Sequence, residues 1–130
     1  MTKVRTPLVV VGLAGSVLGC APSIDELRGE AVRWKAEFNA PYDDLTNCLV
    51  GRLSDRFVAV PQLYPRQQLA IVTVKYPSML LSGEQLWSEY SIRSLGPGRS
   101  LVEWRRRKQV LDSGDPLSRE AVAKCAGGPA

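Results

Sequence analysis

Three cysteines and no histidine limit the chemistry available to this chain. Without an imidazole there is no Cys–His or Ser–His pair to activate a nucleophile at neutral pH. Two isolated cysteines such as Cys48 and Cys125 cannot close a tetrahedral zinc site. Asp43 and Asp44 are adjacent carboxylates, but helix neighbours diverge by about 100° and do not converge on one bond. No catalytic residue, metal site or cofactor is therefore expected. The dense charge run is Arg105, Arg106, Arg107 and Lys108, following Trp104. On a strand, Arg105 and Arg107 share one face while Arg106 and Lys108 share the other, so the run is one patch only at a sheet edge. It reads either as a solvated strand end whose charges block edge-to-edge pairing, or as an anionic-partner site with Arg93 and Arg99 across a hairpin. Lipid phosphates or an acidic protein surface would be the partner in the second case.

These residues sit in a chain of 130 with 45% hydrophobic and 23% charged content, the range of one folded domain. The start of the chain differs from the rest. Lys3 and Arg5 precede an apolar stretch over residues 7–18, and small residues follow, as in an export signal. Twelve residues are too few for a membrane-spanning helix, which needs about 20. At Val17, Leu18, Gly19 and Cys20 the segment resembles the lipobox of bacterial lipoproteins. That resemblance covers the leader alone. It implies cleavage before Cys20, lipid on that cysteine and three acyl chains, an effectively permanent anchor at about 0.8 kcal/mol per buried CH₂. By the same resemblance, Ala21 rather than Asp implies the periplasmic face of the outer membrane, with the inner membrane as the alternative. Residues 1–19 would then be the signal peptide, 20–29 a lipidated tether and 30–130 a single periplasmic domain.

Losing Lys3 and Arg5 with the leader reduces 17 basic residues to 15 against 13 acidic ones. A surplus of two does not call for a nucleic-acid partner. With Cys20 lipidated, Cys48 and Cys125 remain in a compartment where thiols oxidise, and they are the expected disulfide.

The elements that position these residues can be read from periodicity. A helical stripe from Ile24 through Leu27, Ala31 and Trp34 to Phe38 competes, over 31–38, with uninterrupted strand alternation of Val32, Trp34, Ala36 and Phe38. The strand is preferred because Gly29 weakens a helix. Pro41, with Asp43 and Asp44 in the first turn, predicts a helix over 42–55 whose buried stripe is Tyr42, Leu45, Cys48, Leu49, Leu53 and Phe57. Two prolines limit 57–65 to an edge strand or loop. The β-branched run over 68–76 should be a central strand. Strands over 86–95 and 99–110 follow, joined by Gly96, Pro97 and Gly98 as a hairpin turn. Residues 112–116 break the sheet and 118–125 form a last helix. The expected fold class is α+β, an antiparallel β-meander with helices packed on one face. Trp34, Trp87 and Trp104 read as packing residues. Met79, Leu80 and Leu81 read as an apolar tip for a partner or membrane, or, the commoner outcome, as a loop folded over the core.

Location and the missing catalytic constellations together predict a non-enzymatic, membrane-tethered module that binds an envelope protein or anionic lipid, with no nucleic acid involved. The alternative is a small lipid or ligand carrier whose pocket is lined by Leu69, Ile71, Tyr90 and Trp104.

Overall fold

The computed structural model describes residues 24–78, 83–108 and 114–127. It is an α+β fold built on one five-stranded antiparallel sheet. In chain order the elements are α1 (Ile24–Arg28), β1 (Trp34–Phe38), α2 (Tyr42–Leu53), β2 (Val58–Tyr64), β3 (Leu69–Ser78), β4 (Gly83–Gly96), β5 (Arg99–Arg106) and α3 (Gly114–Ala126). A single 3₁₀ turn, Pro65–Gln67, joins β2 to β3. Strands β2 to β5 form an uninterrupted meander, and β1 adds to its far side against β5, giving the order β1-β5-β4-β3-β2.

Each element follows from a local pattern. In β1, Trp34, Ala36 and Phe38 turn inward while Lys35 and Glu37 face solvent, the half-buried alternation that distinguishes strand from helix. Pro61 is placed on β2, an edge strand, where a missing N–H is tolerated. Gly96 pairs with Arg99 around Pro97 and Gly98, and Gly98 has φ of 72°, a left-handed turn position that a glycine takes without strain. Pro116 lies in the first turn of α3, where its missing N–H would have had no partner in any case.

Helices α2 and α3 cover one face of the sheet. Phe38, Leu45, Leu49, Val72, Tyr90, Ile92, Val102, Trp104 and Val122 form the centre of the core between them and the strands. Alternation puts Trp34, Ala36, Val72, Tyr90, Val102 and Trp104 on this face, and their sequence neighbours Lys35, Thr73, Glu89, Glu103 and Arg105 on the other. The short α1 lies over that second face: Arg28 pairs with Glu89, and Leu27 is 1% exposed yet outside the main core cluster.

The fold bears on several of the expectations. Within the segment expected as a tether over 20–29, Ile24–Arg28 is helical and Leu27 is buried; Cys20 itself lies outside the described residues, as do Met79, Leu80 and Leu81. The strand expected to be central over 68–76 is β3, which is paired on both sides, with β2 and β4. The last helix, expected over 118–125, starts earlier, at Gly114, so that residues 114–116 of the segment expected to break the sheet form the first turn of α3. Cys48 is exposed on the flank of α2, whose buried stripe is Leu45, Thr46, Leu49 and Leu53. Thr46 is accommodated there because its hydroxyl donates to the Tyr42 carbonyl at 2.6 Å.

Candidate functional site

The described polar groups concentrate where the start of α3 meets the ends of β1 and β5. Asp115, in the first turn of α3, accepts from Arg106 Nε at 2.6 Å and from Arg33 at 3.0 and 3.3 Å. Arg106 is buried on the core face of β5, and Arg33 immediately precedes β1. Burial works against the Asp115 carboxylate, but the hydrogen bonds and charges of Arg106 and Arg33 outweigh it and hold its pKa below the usual carboxylate value. One turn further along, Ser118 Oγ donates to the Asp115 carbonyl at 2.7 Å and accepts from Trp34 Nε1 at 2.8 Å. The Tyr90 hydroxyl donates to the Ser118 carbonyl at 3.0 Å, and burial keeps it protonated far above its ordinary pKa. This cluster binds α3 to β1, β4 and β5. Ser118 has its hydroxyl engaged at both donor and acceptor, with no base beside it, so the arrangement locks a helix rather than activating a nucleophile.

An aromatic row runs across the same end of the sheet. Trp34 stacks over Trp104 with centroids 6.4 Å apart, Trp104 meets Trp87 edge to face at 6.2 Å, and Trp87 stacks on Phe57 at 4.6 Å. Trp87 reaches this face through an irregularity. Val74 pairs with Ser88 but Lys75 pairs with Leu86, so β4 carries one extra residue there, and a bulge of this kind re-aims a side chain. The Trp104 Nε1 and Ser88 Oγ on the core face are buried without a hydrogen-bond partner.

The four arginines proposed for an anionic partner do not converge. Arg93 is exposed on the second face of β4. Arg99, at the start of β5, is ion-paired to Glu37 on β1. Arg105 lies six residues further along β5, about 20 Å away at the usual strand rise; it is 3.9 Å from Glu103 and has its Nε buried without a partner. Arg107 follows the strand and donates to the Leu86 carbonyl at 3.3 Å. Strand β5 lies between β1 and β4, but its pairing with β1 stops at Trp34 and Trp104, so Arg105 and Arg106 pair with β4 alone and the run starts where β5 becomes a local edge, as the gatekeeping reading requires. The carrier pocket likewise does not form from its four residues: Leu69 and Ile71 face away from the α2–α3 side, whereas Tyr90 and Trp104 are fully buried within it.

Sequence reasoning missed Arg33, Asp115 and Ser118. Arg33 and Asp115 are 82 residues apart, and no local period links them.

The disulfide joins Cys48 on α2 to Cys125 on α3, with Cα atoms 5.8 Å apart, across 77 residues of chain. A depression of about 240 Å³ lies at the other end of the sheet, between the start of α2 and the β4–β5 turn. Its floor includes Asp43, whose carboxylate opposes an anion at that helix start. Among the described residues no cluster of metal-ligating groups is found, and no helix is long and apolar enough to cross a membrane. The second face of the sheet remains partly open beyond α1, with Val58, Leu69, Ile71 and Leu101 half-buried and Val60 exposed. Comparison with protein-family models, curated proteins and solved structures found no match.

Proposed function

We propose that this chain is a bacterial lipoprotein, lipidated on Cys20 and held at the periplasmic face of the outer membrane, whose domain binds another envelope component without catalysing a reaction. The observation that carries the reading is the leader: two basic residues, a mainly apolar stretch of twelve residues over 7–18 and, at its end, Val17-Leu18-Gly19-Cys20 in the order an export and lipidation signal requires. Two further features support it. The Cys48–Cys125 bridge suits an oxidising compartment. The most connected polar cluster, around Asp115 and Ser118, is consumed in fastening α3 to the sheet.

The test is metabolic labelling with a fatty-acid analogue. Wild-type protein should carry the label and Cys20→Ser should not, and inhibition of the lipoprotein signal peptidase should leave a precursor heavier by the leader. Equal labelling of both forms would end the reading. Crosslinking in intact envelopes followed by identification of the captured protein then addresses the partner.

A further inference from the structure

We propose that the partly open sheet face beside α1 rests on the bilayer that holds the anchor, so that the membrane surface is itself the ligand of this face. The inference rests on the lipoprotein reading and adds an orientation to it. Cys20 is four residues from Ile24, the first residue of α1. Four Cα–Cα steps span at most about 15 Å, so a lipid on Cys20 keeps α1 within that distance of the headgroups. Helix α1 is not free to swing away from the domain: Leu27 is buried on the sheet, and Arg28 ties to Glu89, which is 4% exposed. The anchor therefore emerges on the second face of the sheet, the one that α2 and α3 leave uncovered.

The chemistry of that face fits a headgroup–acyl boundary. Val58, Val60, Leu69, Ile71 and Leu101 lie on it beside the exposed guanidinium of Arg93. Apolar side chains that enter the interface, with a cation placed to meet phosphates, are the two contributions that hold a peripheral surface on anionic lipid. Its acidic groups are largely answered within the protein, since Glu89 pairs with Arg28 and Glu37 with Arg99. The opposite side of the molecule presents charges of both signs to solvent, Asp43, Asp44 and Asp55 beside Arg52, Arg56 and Arg119, without the half-buried apolar set that accompanies Arg93.

The native cysteines are either lipidated or bridged, so one introduced cysteine is a unique labelling site. Full-length lipidated protein carrying Val60→Cys, Arg93→Cys or, on the opposite side, Leu117→Cys is labelled with an environment-sensitive fluorophore. Val60 and Leu117 are exposed, at 44% and 64%, and accept the label without disturbing the core. Each form is reconstituted into vesicles of phosphatidylethanolamine and phosphatidylglycerol containing a nitroxide-lipid quencher. Seating on the interface should quench the labels at Val60 and Arg93 by at least about threefold more than the label at Leu117. Equal quenching at all three, or stronger quenching at Leu117, overturns the orientation. So does a Val60 label that stays aqueous in vesicles but becomes shielded in whole envelopes, because a protein or a second copy then covers the face. Fatty-acid labelling of the same samples separates the failures: an unlabelled chain refutes the lipoprotein reading, and a labelled chain with an aqueous Val60 refutes the orientation alone.

Discussion

Arg106 and its neighbours show that side chains of the same type in one run have different roles. Arg106 is buried and paired with Asp115, whereas Arg107 lies beyond the strand and holds a carbonyl. Replacing Arg106 with Gln should destabilise the fold by about 2 kcal/mol, since it removes one partner of a largely buried ion pair. Arg107→Gln should change stability by no more than about 1 kcal/mol. Denaturant midpoints of the two variants check the contrast. Asp115 adds a pH dependence. Its folded pKa is depressed below 3.8, so the stabilisation it contributes is complete above the unfolded value and lost as pH falls through the folded one. Asp115→Asn should therefore lower stability by a constant amount between about pH 5 and 8 and flatten the fall below about pH 4. Thermal midpoints over that range provide the measurement, and an unaltered acid limb would exclude Asp115 as its source.

At the level of elements, the disulfide and α1 hold opposite faces of the sheet. Cys48 and Cys125 bridge α2 to α3 across 77 residues, a loop whose closure stabilises by roughly 4 kcal/mol in the chain-entropy model. Cys48→Ser or Cys125→Ser should lose much of that, and the unreduced wild-type domain should show no free thiol when denatured. Leu27→Ala should remove about 2–3 kcal/mol, as expected for a buried leucine, and expose the Glu89 region to faster amide exchange. The sequence revealed these elements unevenly. The alternation through Trp34, Ala36 and Phe38 and the prolines in and just after β2, Pro61 and Pro65, are local signals; they placed β1 and allowed the edge strand that β2 is. Helix α1 was less legible because five residues carry too little periodicity, and the strands it packs against, β4 and β5, lie more than fifty positions away. The inward turn of Trp87 depends on a one-residue bulge, which no pattern in β4 announces. The Cys48 pairing could be expected from residue count and compartment, but its exposed position on α2 could not, since it depends on where α3 lies.

Among the described residues, one face of the sheet is covered by α2 and α3 and the other in part by α1, and the α2–α3 side is bound together by groups from both ends of the chain. Trp34, Tyr90, Trp104 and Ser118 bring β1, β4, β5 and α3 into one cluster. Loss of tertiary packing, read by near-ultraviolet circular dichroism of the tryptophans, should coincide with loss of secondary structure in a single transition. Separate transitions would mean that β1 and α3 undock before the meander melts. The pairing of Trp34 with Trp104 also imposes an order of events. A ribosome delivers this chain from its N-terminus, so β1 is made early yet has no sheet to join until β5 has followed it. Seventy residues separate the two partners, and closing so long a loop is slow compared with forming the β3–β4 or β4–β5 hairpins. Trp34 and Phe38 are thus apolar residues in waiting, exposed for as long as the C-terminal half is still emerging. A factor that binds hydrophobic segments transiently has its clearest point of engagement there, and a chain truncated before β5 would keep that point open.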